Sequence, residues 1–285
     1  MSMEKALRIL VEKLEQDRSL RTPRILRRRG EALDDLEACL SVAQLKGTTL
    51  HQRAKSIYAE LESINFRLQN SIRREIQQGA GRETLLEWVS DWNDPATHTN
   101  RSGYDYVDEL VNGILQLEEP SPEVVRLDSE MIAYQPTPAR HTFDFINRAV
   151  LTEHDSLIDL GSGLGHVALI ASICTSARCT GIELEPSYVE CARKCAQSLK
   201  LTKARFIEGD ARAADLCEGT VFYLYTPFVG TILRDVLHAL RLESRRREIR
   251  IATFGPCTPI VADEQWLSIN GPLKTDRVAI FLSRS

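Results

Sequence analysis

Hydrophobic positions in the first third of the chain recur every three or four residues. The first such stripe comprises Leu7, Leu10, Val11 and Leu14. A longer stripe ends at the glycine-rich stop Gly79-Ala80-Gly81 and comprises Ala54, Ile57, Leu61, Ile64, Leu68, Ile72 and Ile76. This spacing predicts amphipathic helices, and we expect the long one to pack along another helix of the same chain or, as an alternative, of a second copy.

After residue 130 the pattern changes to alternating strands and helices. The apolar runs LIDL, TGIEL, ARFIEG, VFYLYT and IRIATF are separated mostly by stretches of helical period. Such alternation predicts an α/β fold with a mostly parallel sheet covered by helices on both faces. The last two runs, QWLSING and RVAIFLS, leave no room for a helix between them, so we expect them to pair antiparallel.

A change of composition separates the two patterns. The segment EEPSPE at 118–123 interrupts the periodicity, and we place the domain boundary there. The prediction is an all-α N-terminal domain over 1–122 and an α/β domain over 123–285. The helix that opens the second domain is expected to have Thr137 as its N-cap and Pro138 at its first position.

Composition is that of an ordinary globular protein, with 43% hydrophobic and 27% charged residues among 285 and a net charge of −4. That charge argues against a protein that coats nucleic acid with its whole surface. The N-terminus lacks an apolar secretory core, and no apolar run approaches the roughly 20 residues that a membrane span needs. We therefore expect a cytoplasmic protein with no membrane contact.

Cysteine usage points to a reducing compartment, because the count of seven is odd and no Cys-x-x-Cys pair occurs. Cys191 and Cys195 stand four residues apart on a predicted helix face, where two thiols could chelate a metal. No histidine lies near them in sequence, so we expect small buried side chains and no metal site.

Charged tracts leave alternatives open. Residues 1–30 carry nine Lys and Arg against four acids, and we expect a solvated helix end rather than a phosphate contact. The same alternatives hold for Arg245, Arg246 and Arg247. From Tyr104 to Glu130, eight acids are opposed by Arg126 alone. That stretch is either plain surface or a face for a cationic substrate.

The stretch LIDLGSGLGHVALI, residues 157–170, carries the most specific chemistry. It places Gly161, Gly163 and Gly165 between a strand and a helix, at the sheet edge where ligands of α/β proteins bind. Bare backbone there permits a tight turn and close approach of a ligand. Asp159 would repel a pyrophosphate but attract an ammonium or sulfonium group, and the spacing departs from the dinucleotide fingerprint.

Two more acids follow the next two strands of the predicted sheet. Glu183 ends the second strand and can accept hydrogen bonds from both hydroxyls of a ribose. Asp210 follows the third strand and can accept from the exocyclic amine of adenine, with the Ala211 N–H facing the ring. A glycine turn and these acids at three successive strand ends form a complete nucleoside site.

These motifs make residues 131–285 resemble the class I S-adenosylmethionine-dependent methyltransferases. The resemblance implies a seven-stranded sheet whose last two strands form an antiparallel hairpin. It implies S-adenosyl-L-methionine as cofactor, with its methionine part held by Asp159, Gly161, Gly163 and Gly165. Ser162, on the same turn, is counted among the cofactor-binding residues.

A narrower similarity concerns the segment MIAYQPTPARH before the first strand. It resembles the loop that covers the cofactor in Dot1-like lysine methyltransferases and related bacterial enzymes, which also carry a helical region before the catalytic domain. This similarity implies that Tyr134 and Thr137 close over the cofactor.

The acceptor is expected after the fourth strand, where the sequence reads Tyr225-Thr226-Pro227-Phe228. Enzymes that methylate planar amines often carry Asp, Asn or Ser, then Pro-Pro, then Tyr or Phe at this place. Pro227 and Phe228 fit that pattern, whereas Tyr225 and Thr226 depart from it. We expect Tyr225 or Thr226 to hold an amine and Phe228 to wall the channel.

The sequence therefore predicts a methyltransferase that acts on an amine, with a protein side chain as the favoured acceptor. The N-terminal domain is expected to shape or recognise that acceptor. The alternatives are methylation of RNA or of a small nucleophile, a module that binds the cofactor without turnover, and a nicotinamide enzyme. His141 and His166 are the histidines placed to act as a base, although simple packing is the expectation for both.

Overall fold

The structure, a computed structural model, describes residues 3–41, 47–89, 104–118, 120, 130, 132, 134–225, 228–269, 271–274 and 277–284. Contacts divide the chain into two compact units, Met1–Arg74 with Asp105–Ile114 and Glu75–Tyr104 with Leu115–Ser285. The break at 118–123 lies mostly outside the described residues, so the boundary at 122 stays a prediction. No helix in the described ranges has both the length and the apolar character that crossing a bilayer requires.

The N-terminal third is helical, as the spacing predicted. Its helices are α1 (Met3–Gln16), α2 (Leu26–Leu40), α3 (Thr49–Gln77), α4 (Gly81–Val89) and α5 (Tyr106–Leu115). Most of their apolar stripes meet in one buried cluster of the first unit, which comprises Leu7, Val11, Leu14, Leu20, Ala32, Leu33, Leu36, Ala54, Ile57, Leu61 and Ile64. The stripe of α3 thus packs within its own chain.

Arg29, in the basic tract of α2, is fully buried. Its guanidinium donates to Asn65 Oδ1 at 2.6 Å and to the carbonyls of Leu20, Thr22 and Pro23 at 2.9, 2.9 and 3.1 Å. The expectation of a solvated tract is wrong for this residue. The Thr22 carbonyl also accepts from the Ile25 N–H at 3.1 Å, and the planar guanidinium adds donors to all three carbonyls.

The second unit contains the sheet. Its strands are β1 (Ser156–Leu160), β2 (Arg178–Glu183), β3 (Ala204–Glu208), β4 (Val221–Leu224), β5 (Arg250–Thr253), β6 (Leu267–Ile269) and β7 (Ala279–Ser283). The helices among them are α6 (Ala139–Ala149), α7 (His166–Cys174), α8 (Pro186–Ser198), α9 (Gly230–Ser244) and α10 (Cys257–Ala262). The sequence prediction missed α10.

The sheet has the order β3-β2-β1-β4-β5-β7-β6. Strands β1 to β5 run parallel, and β7 pairs antiparallel with both β5 and β6. This order confirms the predicted class I methyltransferase fold and its antiparallel C-terminal strands. The direction of winding reverses between β1 and β4, and in open parallel sheets ligands bind at the carboxyl ends of the strands beside that reversal.

The two central strands are buried along their whole length. Ile158 of β1 and Phe222 of β4 belong to the hydrophobic cluster that includes residues of α9. Tyr223 points to the opposite face, where its ring lies 5.1 Å from that of Phe145 on α6. Helices therefore cover both faces, as the parallel arrangement requires.

The start of α6 differs from the prediction. Its N-cap is Pro138, the first helical residue is Ala139, and no side chain caps the helix. Thr137 is therefore not the N-cap, since Pro138 keeps an extended ψ of 134° and moves the start of the helix by one residue. The Thr137 hydroxyl instead accepts a hydrogen bond from the Tyr223 hydroxyl at 3.4 Å.

Candidate functional site

The glycine turn joins β1 to α7. Gly161, Gly163 and Gly165 have φ of 78°, 54° and 84°, a region that other residues rarely adopt. The N–H groups of Gly161 and Ser162 donate to the carbonyl of Ile182 at 2.9 and 3.0 Å, which ties the turn to the end of β2. The fold therefore places a glycine-rich turn beside the point between β1 and β4 where the direction of winding reverses.

Two of these glycines also have a steric reason. A Cβ on Gly165 would lie 2.4 Å from the Phe206 ring, so this glycine permits close packing of the turn on β3. A Cβ on Gly163 would lie 2.1 Å from the Tyr134 ring. The Tyr134 side chain thus lies directly on the turn, in the position expected of a covering residue.

Asp159 lies next to the end of β1, opposite Gly181 of β2 and Tyr223 of β4. Its side chain is almost wholly buried, and burial together with the nearby Glu183 carboxylate raises its pKa to about 8. A carboxyl group in this state would gain from a positive charge placed beside it.

Glu183 ends β2 and faces the glycine turn. Its Oε2 accepts from the Gly163 N–H at 2.7 Å, and its Oε1 accepts from the Glu185 N–H at 2.9 Å. Both carboxylate oxygens are fixed by backbone donors and retain lone pairs for a further donor. The predicted ribose-binding residue is therefore held in a defined orientation.

Asp210 follows β3 and begins a short 3₁₀ helix, Ala211–Ala213. It accepts from the Arg212 N–H at 2.8 Å and from the Arg212 guanidinium at 2.5 Å, and these contacts lower its pKa below the ordinary range. Asp210 is thus an oriented, charged acceptor with Ala211 buried beside it. The sequence analysis did not suggest Arg212 as its partner.

Tyr134 and His166 form a polar pair on the turn. The Tyr134 hydroxyl lies 3.1 Å from His166 Nδ1, and the Tyr134 ring meets the edge of Tyr188 at a centroid distance of 5.1 Å. Burial lowers the pKa of His166 to about 4, so the imidazole is neutral near pH 7. Its observed contact is with Tyr134, which fits the expectation of packing.

The fit of S-adenosylmethionine rests on one further observation. Ser162 Oγ is buried and has no hydrogen-bond partner among the described residues. A bound ligand with a polar group at the turn would satisfy it. A buried acid, two oriented carboxylates and an unsatisfied hydroxyl are the groups that a cationic nucleoside requires, and the residues present therefore fit this cofactor.

Aromatic rings occupy the neighbouring strand ends. Tyr225, directly after β4, stacks on Phe254, directly after β5, at a centroid distance of 5.2 Å. The Phe254 ring lies 4.1 Å from that of His141 on α6. The sequence analysis missed Phe254, whose position at a strand end is a feature that could have suggested it.

The predicted acceptor residues fall into different environments. Burial is the larger cause that raises the pKa of Tyr225, and the nearby Tyr104 raises it further, so the phenol stays protonated. Phe228 is 5% exposed and belongs to the hydrophobic cluster with Leu224 and Ile232. Thr226 lies outside the described residues, as does Pro227. The roles of Tyr225, Thr226 and Phe228 stay predictions.

Arg247, in the second basic tract, contributes to the structure of the fold. It donates to the carbonyls of Leu216 and Gly219 at 2.6 and 2.8 Å and pairs with Glu243. The neighbouring Arg246 also pairs with Glu243, at 2.8 Å. Two of the three arginines are thus engaged within the chain.

The thiols of α8 donate to backbone carbonyls. Cys191 Sγ lies 3.2 Å from the Glu118 oxygen and Cys195 Sγ 3.2 Å from the Leu115 oxygen. Cys195 is buried, as expected, whereas Cys191 is half-buried. Within the described ranges, no three His, Cys, Asp or Glu side chains group as metal ligands would.

Comparison with known proteins gives a family for part of the chain. Residues 151–222 match the family model of a methyltransferase domain. The release factor glutamine methyltransferase of Vibrio cholerae is 38% identical over 80 residues, which cover 28% of this chain and 27% of that protein. The chain thus spans about a quarter of the length of this curated relative.

Solved structures are similar to about half of the chain. An RNA methyltransferase from Salinibacter ruber, in complex with S-adenosyl-L-homocysteine, is 26% identical with a TM-score of 0.40, over 52% of this chain and 92% of that one. Precorrin-6y C5,15-methyltransferase from Geobacter metallireducens is 18% identical with a TM-score of 0.41, over 55% and 95%. The family match confirms the predicted resemblance to class I S-adenosylmethionine-dependent methyltransferases. The narrower Dot1-like similarity stays a prediction.

Proposed function

We propose that this chain, with a methyltransferase domain at its centre, transfers the methyl group of S-adenosylmethionine to an amine, and that the amine belongs to a protein side chain. The single observation that carries the proposal is the buried Asp159 carboxyl, which shares one strand-end site with the oriented Glu183 carboxylate and the bare glycine turn.

Each residue of the site has a distinct part in binding. Asp159 offers its carboxylate to the positive charge of the cofactor, and Ser162 Oγ takes up a polar group at the turn. Glu183 accepts from the ribose hydroxyls, while Asp210 accepts from the adenine amine. Tyr134 closes over the turn and excludes water, which strengthens these contacts.

When bound, the cofactor supplies a methyl group on a positively charged sulfur that is already a good leaving group. The amine lone pair forms the new carbon–nitrogen bond as the carbon–sulfur bond breaks, and the amine then loses a proton to solvent. The chain therefore needs chiefly to align donor and acceptor and to keep the lone pair free. The protonated phenol of Tyr225 can orient the amine without serving as its base.

Two observations support a protein side chain as the acceptor. The covering segment that resembles the loop of lysine methyltransferases does lie on the glycine turn through Tyr134. The relative from Vibrio cholerae is named for a glutamine of a release factor, which is a protein substrate. The Tyr225 and Phe254 rings at the strand ends offer flat surfaces to such a side chain.

The test is transfer of labelled methyl groups from the cofactor to a cell extract by the full chain. We expect label in a fraction that protease removes and nuclease leaves, and no transfer by an Asp159→Asn variant. Label that survives protease would exclude a protein acceptor. If S-adenosylhomocysteine stabilises the protein against unfolding but no labelled product forms, the chain is a module that binds the cofactor without turnover.

A further inference from the structure

Helix α9 starts without a cap of its own. Its N-cap residue, Val229, has no side chain that can bond the first N–H groups of the helix. Unsatisfied N–H groups at a helix start attract a carboxylate, both as acceptor and through the helix dipole.

Glu130 provides that carboxylate from about 100 residues earlier in the chain. Its Oε2 accepts from the N–H groups of Thr231 and Ile232 at 2.7 and 3.0 Å and from the Thr231 hydroxyl. Its own carbonyl accepts from the Val229 N–H at 2.8 Å. Backbone and side chain of Glu130 are thus both fixed to the start of α9.

Gly230 makes this approach possible. It has a φ of 60°, and a Cβ at this position would lie 2.3 Å from the Glu130 carboxylate. Any larger residue would therefore push the carboxylate away from the helix. The pair of Glu130 and Gly230 is consequently a specific fit and not a chance surface contact.

Glu130 begins the segment that carries Tyr134. Three residues stand between them, a span of at most roughly 14 Å of chain from one Cα atom to the other. Beyond Tyr134, the Pro136 carbonyl accepts from the Tyr104 hydroxyl at 2.6 Å, and Thr137 accepts from Tyr223. Glu130, Pro136 and Thr137 are thus each held by hydrogen bonds, and Tyr134 lies against Gly163.

We propose that Glu130 is a positioning residue: by capping α9 it holds Tyr134 over the glycine turn, so that cofactor binding depends on the start of α9. The inference rests on the proposed function, because it assigns Tyr134 to the cofactor. It links the cover of the cofactor to the start of α9, which follows the residues at which the acceptor is expected.

The experiment is a double-mutant cycle on the full chain, with the dissociation constant of S-adenosylhomocysteine as readout. We expect Glu130→Gln to weaken binding about tenfold and Tyr134→Leu to weaken it by a similar factor. If Glu130 acts through Tyr134, the double variant binds no more weakly than Tyr134→Leu alone. If Glu130 has only a structural role, the double variant instead loses affinity by the product of the two single factors.

Further variants keep the inference falsifiable should Glu130→Gln prove unstable. Gly230→Ala displaces the carboxylate without removing it and should raise the KM for the cofactor with kcat changed less than about twofold. Asp235→Asn removes a negative charge from the exposed face of the same helix and should bind as the wild type does.

Two outcomes overturn the inference in distinguishable ways. If the wild-type protein binds S-adenosylhomocysteine but Glu130→Gln and Tyr134→Leu weaken that binding independently, the positioning role is refuted and the proposed function stands. A wild-type protein that binds neither S-adenosylhomocysteine nor S-adenosylmethionine would refute both.

Discussion

Arg29 in the helical unit and Asp159 in the sheet unit are both buried ionisable side chains, and the two are held in opposite ways. Arg29 donates to one side-chain oxygen and three carbonyls, so its charge is satisfied by the fold itself. Asp159 faces another carboxylate, and its pKa is raised to about 8. The comparison teaches that a buried charge with several donors of its own stabilises a fold, whereas a buried acid held in its protonated form beside a second carboxylate marks a candidate place for a cationic ligand.

The largest effect is expected from Arg29→Ala, which would remove the guanidinium donors of the Asn65 amide oxygen and of three carbonyls. We expect the free energy of unfolding to fall by about 3 kcal/mol, measured by chemical denaturation followed by circular dichroism. The neighbouring Arg28→Ala is the matched control, since Arg28 is exposed and pairs with Asp17. Equal losses for the two variants would contradict the structural role of Arg29.

The second effect concerns Asp159→Asn, which keeps the size of the side chain and removes its charge. We expect binding of S-adenosylmethionine to weaken about 100-fold, or roughly 2.7 kcal/mol, because the positive charge of the ligand loses its partner. Isothermal titration calorimetry gives the dissociation constant. Unchanged affinity would show that the buried acid belongs to the fold alone, as Arg29 does.

The third prediction uses the raised pKa. The bound cation favours the ionised carboxylate, so Asp159 must lose its proton on binding while the free protein holds it up to about pH 8. Affinity for S-adenosylmethionine should therefore rise roughly 25-fold between pH 6.5 and 8.5. The Asp159→Asn variant should show a flat profile, and a wild-type profile equally flat would refute the linkage.

The smallest effect is on the thermal stability of the ligand-free protein. Asp159 keeps its proton in the folded state up to about pH 8, but an unfolded chain releases it near pH 4. Stability from this group is therefore fully present below about pH 4 and is lost as the pH rises to about 8. Asp159→Asn should unfold a few degrees above the wild type at pH 8.5 and near it at pH 4.5, as calorimetric melting would record.

Local sequence patterns were enough to predict the candidate cofactor-binding residues. Gly161, Gly163 and Gly165 with Asp159 lie within seven residues, and their positions relative to the strand follow from the strand–turn–helix pattern alone. Glu183 and Asp210 follow from the rule that parallel strands end at one edge. The antiparallel C-terminal pair was predicted for a different reason, since no helix fits between the last two apolar runs.

Contacts between distant segments were not predictable in this way. Arg29 looked like part of a solvated basic tract, because nothing in its own helix shows that carbonyls elsewhere lack donors. The cap of α9 comes from Glu130, and Val229 gives no hint of it. The predicted cap by Thr137 was wrong since the extended Pro138 begins the helix one residue later.

The central claim is that the strand ends of β1, β2 and β3 bind an adenosyl group that carries a positive charge. Calorimetric titration of the full chain at pH 7 with S-adenosylmethionine, and with NAD as the rival ligand, tests it most directly. The account predicts saturable binding of the first with release of a proton, and no heat of association with NAD. Binding of NAD in preference to S-adenosylmethionine, or no binding of either, would contradict it.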